Sequence, residues 1–224
     1  MYTPLTAPTL RNLRRMMPKF TVSYTQALRV AERQAVRLAR YFDTERRVLS
    51  ETDLTSLTRL TIIRGCGDTP CLVSGHSVYR SGRWIITVDA TEPLARQRFT
   101  IAHELKHIID AGCALDRIYA RLTTDQIERV CDYFAANLLM SKHAVYHLWG
   151  EGLRTPEALA MACHVSLSAM KRRMHELALP LDLDAPPILD LHYSTYTDAF
   201  PDTDQTDTLP THLYPHPDST GAAS

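Results

Sequence analysis

Several things are missing from this 224-residue chain, and each absence narrows its class. No apolar run approaches the roughly 20 residues that a membrane-spanning helix needs, so no membrane partner is expected. The first residues hold Pro4, Pro8 and a basic run over 11–15 with no apolar stretch behind it, which is not the form of a secretory leader. Five cysteines, at 66, 71, 113, 131 and 163, make an odd set without framework spacing. That argues against a disulfide scaffold and for reduced thiols, and so for a cytoplasmic protein. Cys66 and Cys71 are too isolated to read as a zinc knuckle, and no internal repeat is visible.

What remains is an ordinary globular composition, 45% apolar and 22% charged, rather than a disordered or fibrous one. A chain of this length buries one full core, with room for a small helical appendage. The formal net charge is zero, yet the two signs are unevenly placed. Residues 1–50 carry Arg11, Arg14, Arg15, Lys19, Arg29, Arg33, Arg37, Arg40, Arg46 and Arg47 against Glu32, Asp43 and Glu45. Beyond Pro180 there are eight aspartates and no Lys or Arg. Such asymmetry marks nucleic-acid contact or an acidic tail that meets something basic, the alternative being plain solvated surface.

Patterning supplies the elements. Over residues 24–42, Ala27, Leu28, Ala31, Ala35, Leu38, Ala39 and Phe42 recur at helical spacing, predicting an amphipathic helix with an arginine-rich outer face. Short β-branched runs follow at 60–63, 72–74, 77–79 and 84–88, broken by glycines, which predicts a small antiparallel sheet of three or four strands. Ser81-Gly82 is the expected hairpin turn. Helical spacing returns at Pro93, suited to a first helical turn, and runs to Ala111, where Gly112 is placed to close the helix in a left-handed cap. A further helix is expected from Thr123 or Thr124 through Met140, then shorter ones over 142–149, 155–163 and 166–178. The fold expected is α+β, in four parts. A basic N-terminal segment (1–21) precedes a mostly helical main domain with a small sheet (22–141). A helix-turn-helix-like element (142–179) and a Pro- and Asp-rich tail (180–224) follow.

The chemistry concentrates in residues 98–110, Arg-Phe-Thr-Ile-Ala-His-Glu-Leu-Lys-His-Ile-Ile-Asp, which contain His-Glu-x-x-His within an apolar helical pattern. Positions four apart lie one above the other on a helix, so His103 and His107 can face one ion, while Glu104 is turned about 100° away and suits a general base. Zinc peptidases use three protein ligands and leave one position open. The best third candidate is Glu128, at the start of the next amphipathic helix. Asp132, one turn on, is placed to accept a hydrogen bond from the far ring nitrogen of a ligand histidine. The expected cofactor is Zn²⁺, with Tyr119, Tyr133 or His143 as alternative donors to the oxyanion. Cys113, six residues past His107, is a candidate inhibitory thiolate in the fourth position, the alternative being a buried structural thiol.

The run from Arg98 to His107, with Glu128, Asp132, Phe134-Ala135-Ala136 and Leu138-Leu139-Met140, resembles the ImmA/IrrE metallopeptidase family. The likeness extends over residues 22–178. It departs at Lys106, where the family usually has Gly, and at Ser141, where it usually has Pro. The resemblance implies a gluzincin-like site with Glu128 as third ligand in a cytoplasmic protein. It also implies cleavage of a helix-turn-helix repressor encoded nearby, which de-represses a stress, mobile-element or antiphage locus.

Two other readings stay open. Residues 155–178 have the form of a helix-turn-helix, with Lys171, Arg172 and Arg173 placed for phosphates, as in a DNA-binding regulator. Alternatively, single-stranded DNA activates the protease through Arg29, Arg33, Arg37 and Arg40, with Phe20, Tyr24 and Tyr41 near enough to stack on bases.

Overall fold

The computed structural model describes residues 9–44, 48–57, 60–65 and 74–180. In chain order these form α1 (Leu10–Arg14), α2 (Tyr24–Tyr41), α3 (Glu51–Ser56), β1 (Leu60–Arg64), β2 (Gly75–Arg80), β3 (Arg83–Val88), α4 (Leu94–Asp110), α5 (Leu115–Ile118), α6 (Thr124–Leu139), α7 (Lys142–Gly150), α8 (Pro156–Cys163) and α9 (Leu167–Glu176). The architecture is α+β and mostly helical. No helix among the described residues is long and apolar enough to cross a membrane. The Pro- and Asp-rich tail beyond 180 lies outside the described residues.

The core is built where α6 meets both α2 and α4. Ala27, Ala31, Ala35 and Ala39 form a small-residue stripe along α2, and such a stripe lets a neighbouring helix approach closely. Val130, Phe134, Ala135 and Leu138 of α6 fill the middle, and Ile101, Ala102, Leu105, Ile108 and Ile109 of α4 close the other side, all essentially without solvent exposure. Reciprocal capping boxes fix the starts of α2 (Ser23 with Gln26) and α6 (Thr123 with Gln126), each satisfying backbone donors that a helix start leaves free.

The sheet is mixed rather than antiparallel. Its order is β1-β3-β2, with β1 parallel and β2 antiparallel to β3. Ser81 and Gly82, both at positive φ, make the tight β2–β3 hairpin. The reason β3 sits centrally is its composition: Trp84-Ile85-Ile86-Thr87-Val88 is the most apolar strand, and Ile86 and Val88 are fully buried against the helices. Polar β2 is left at an edge, and β1 takes the remaining side of β3. The expected run at 72–74 adds no fourth strand among the described residues; 72 and 73 lie outside them, and Ser74 is a bend before β2.

Two details of α4 differ from expectation. Pro93 is the N-cap, not a residue of the first turn. Gly112 does not adopt a left-handed conformation, and the helix ends at Ala111 in the right-handed region. Glycine is needed there for room: a Cβ on Gly112 would lie 2.3 Å from Arg14 Nε. Arg14 crosses at this point to donate to the carbonyls of Ile109 (3.0 Å) and Ile108 (2.9 Å), capping the last turn of α4 with a positive charge. Leu10, Leu13 and Met17 join the same core.

At the other end of the chain, α8 and α9 meet at His164, the left-handed residue between them. Arg173 of α9 is 4% exposed. It donates to Met140 O (2.9 Å), Asn137 Oδ1 (2.8 Å) and Glu176 Oε2 (2.9 Å). It is therefore committed to the protein interior, unlike the exposed Lys171 and Arg172, and the expectation that all three meet phosphates is corrected for Arg173.

Candidate metal centre

One face of α4 is buried through Ile101, Leu105, Ile108 and Ile109, and this fixes where its remaining side chains point. His103 and His107, one turn apart, turn toward α6, where Glu128 and Asp132 are likewise one turn apart. His103 Nε2 lies 3.1 Å from His107 Nε2 and 3.2 Å from Glu128 Oε2, and the third side of the triangle, His107 Nε2 to Glu128 Oε2, is 3.5 Å. Bonds of about 2.0–2.2 Å to a tetrahedral ion put ligand atoms about 3.3–3.6 Å apart. The three atoms therefore fit one small cation held between two helices.

His103 Nδ1 is 2.8 Å from Asp132 Oδ1. If that nitrogen carries the proton, Nε2 presents a lone pair toward the Glu128 carboxylate, and acceptors face each other at contact distance. Such a cluster repels unless a cation sits in it. Burial disfavours the charged form of His103, but the hydrogen bond to Asp132 and the charges of Asp132, Glu128 and Glu104 outweigh it and raise its pKa.

A second grouping overlaps the first. His103, His107 and Cys131 bring ligating atoms within 4.8 Å of one another. Cys131 Sγ lies 3.8 Å from Nδ1 of His107, the nitrogen on the side away from Glu128. Burial pushes this thiol well above its ordinary range. Cys131 has no signal in the sequence beyond its place between Glu128 and Asp132 on α6.

Glu104, His107 and Glu128 line a cavity of about 500 Å³, completed by His76, Ser77 and Trp84 of the sheet and by Ala111 and Leu115. The sheet residues were not legible as site residues, because only the tertiary packing of β2 and β3 against α4 brings them there. Tyr119, Tyr133 and His143 are absent from the lining. Tyr119 is 4% exposed and its hydroxyl donates to Asp110 Oδ2 at 2.8 Å, so it is withdrawn as an oxyanion donor. Tyr133 lies among Glu32, Arg173 and Asn137, and His143 is exposed on α7.

Residues 72–175 match the family model described as Peptidase_M78, IrrE N-terminal-like domain. The chain carries a metallopeptidase domain of the ImmA/IrrE type. The matched span contains His103, Glu104, His107, Glu128 and Asp132. No curated protein matches the chain.

The metallopeptidase domain does not bring Cys113 to the ligand atoms. Its Sγ is 4.0 Å from the carbonyl of Ile109, because the turn closed by Cys113 N to Asp110 O (2.8 Å) folds the thiol back over the end of α4. Lys106, between the two histidines, points into the core. It is fully buried, with Nζ 2.6 Å from Asp110 Oδ1 and 3.5 Å from the Tyr119 hydroxyl. On α2, Arg29, Arg33 and Arg40 are exposed, whereas Arg37 is half-buried and its Nε is fully enclosed. Arg29 and Arg33 also line a groove of about 650 Å³ with Met16, Pro18, Phe20 and Val22.

Proposed function

We propose that this chain is a zinc-dependent endopeptidase that cleaves a helix-turn-helix repressor encoded beside it, de-repressing a stress, mobile-element or antiphage operon inside the cell. The observation that carries the hydrolytic part is the triangle of His103 Nε2, His107 Nε2 and Glu128 Oε2, with sides of 3.1, 3.2 and 3.5 Å, opening on the cavity that Glu104 lines. Two imidazoles and a carboxylate suit zinc, which when bound would supply Lewis-acid polarisation of the scissile carbonyl and an activated water. Asp132 holds the His103 ring with Nε2 toward that position. Glu104, 8% exposed and at the cavity wall, takes the proton of the attacking water and returns it to the leaving amine. Among the described residues β2 pairs only with β3, and its other edge suits strand addition by an extended peptide.

The repressor substrate is suggested by the resemblance to that family. The experiment is to incubate the purified protein with that repressor, in parallel with Glu104→Gln. The parent should cleave it, while the variant should hold one equivalent of zinc without cleaving. Cleavage by the variant would remove Glu104 from the base role, and a parent without bound metal would sink the reading.

A nucleic-acid activator is the second part of the proposal, supported by the groove where Arg29 and Arg33 stand beside Phe20, 61% exposed. Cations flanking an exposed ring suit single-stranded phosphates and a stacked base. Oligonucleotides that neither bind at low salt nor stimulate cleavage would dismiss it. The DNA-binding regulator built on 155–178 retains Lys171 and Arg172 as its exposed cations, but Arg173 is spent on α6.

A further inference from the structure

α6 presents three side chains to the histidines of α4. Glu128 faces both Nε2 atoms, Asp132 stands at Nδ1 of His103 (2.8 Å), and Cys131 stands at Nδ1 of His107 (3.8 Å). Each imidazole thus has one nitrogen toward the shared centre and the other toward a residue of the same facing helix. Cys131 is 1% exposed, so its thiol is held in place by packing on the Nδ1 side of the His107 ring.

We propose that Cys131 is a positioning residue, whose Sγ accepts from the Nδ1–H of His107 and thereby leaves Nε2 unprotonated and aimed at the metal. The inference rests on the metal reading above and extends it by assigning the second histidine the support that Asp132 gives the first. The geometry favours this over ligation by the thiolate. Sγ is on the Nδ1 side of the ring, while Glu128 Oε2 already completes the triangle on the Nε2 side. Free imidazole ordinarily carries its proton on Nε2, so a partner at Nδ1 is what selects the tautomer that can bind an ion. Sulfur is a weaker acceptor than a carboxylate, and the two supports are accordingly unequal.

Three measurements on the full chain test the assignment. Zinc loss to a chelator should be about tenfold faster in Cys131→Ala than in the parent, and faster still in Asp132→Ala, the range usual for partners that orient a metal-binding histidine. Nitrogen-15 spectra of the metal-free protein should show His107 protonated at Nδ1 in the parent and shifted toward Nε2 in Cys131→Ala. A merely space-filling role for the thiol would not move that tautomer. The cobalt(II)-loaded parent should lack a sulfur-to-cobalt charge-transfer band.

Unchanged zinc loss and an unchanged tautomer in Cys131→Ala overturn the proposal. So does a charge-transfer band that disappears in that variant, since the sulfur would then be a ligand. Should Cys131→Ala fail to fold, the parent's tautomer and cobalt spectrum still decide, Nε2 protonation of His107 counting against the proposal. A parent that holds no zinc brings down the metal reading together with this inference, whereas a zinc-bound parent with an indifferent Cys131→Ala brings down the inference alone.

Discussion

Lys106 is one of the largest fully buried side chains among the described residues, and its loss should be costly in a particular way. Its ammonium meets Asp110 Oδ1 at 2.6 Å, and the other carboxylate oxygen accepts from Tyr119 at 2.8 Å. At that separation and an effective dielectric of about 20, the attraction is roughly 6 kcal/mol, offset by several kcal/mol of lost hydration for each ion. The intact pair therefore contributes little net stability. Removing only Lys106 is different, because it strands a buried carboxylate, and such breaks cost about 3–5 kcal/mol. Lys106→Met and Asp110→Leu alone should each lose about that much in urea unfolding. The double variant with Tyr119→Phe, which leaves no unpaired hydroxyl, should recover most of it. Asp110 ends the helix that carries His103 and His107, so the single variants should also release zinc faster. Single variants within 1 kcal/mol of the parent would refute the reasoning, because the charges would then be no more than solvated neighbours.

Gly112→Ala should displace Arg14 from the end of α4, since the new Cβ would sit 2.3 Å from Nε. A loss of about 1.5–3 kcal/mol is expected from charge-assisted bonds, and Arg14→Ala should show no further loss in the Gly112→Ala background, as a double-mutant cycle would reveal. In the metal-free protein, the raised pKa of His103 contributes stability that is full below the unfolded value of about 6.5 and lost as pH rises through the folded value. Urea midpoints of chelated protein should fall across that window, and Asp132→Asn should flatten the fall; a parent slope no steeper than the variant's contradicts it. Arg173→Ala should destabilise the domain, with the midpoint for unfolding falling, whereas Lys171→Ala with Arg172→Ala should leave the midpoint unchanged. Equal effects would mean that α9 is not docked through Arg173.

Much of this was readable because short-range periodicity carries it. Histidines four apart on an apolar helix have to share a face, and Thr123 with Gln126 announces where α6 begins. Glu128 and Asp132 then follow at one-turn spacing, which puts them on one face, and the structure turns that face to α4. What could not be read depends on elements meeting at distance. The central place of β3 follows from which strand is most apolar against the helices, a comparison that alternation within one strand does not make. Gly112 looks like a helix-ending glycine until Arg14, almost a hundred residues earlier, is found passing over it. Tyr119 looked free to serve the site, but its hydroxyl belongs to Asp110, and Cys131 looked like one more buried thiol.

The placement of α6 explains why these long-range details bear on chemistry. Its inner face, Val130, Phe134, Ala135 and Leu138, is fixed between α2 and α4. Its C-terminal end is held by Arg173 through Asn137 and Met140. Glu128, Cys131 and Asp132 project from this one helix, so a rotation of α6 would move all three relative to the histidines together. Both α2 and α9 touch this helix, so both contribute to where its metal-facing side chains stand. In this arrangement Arg173 of α9 braces the C-terminal end of the helix that carries Glu128.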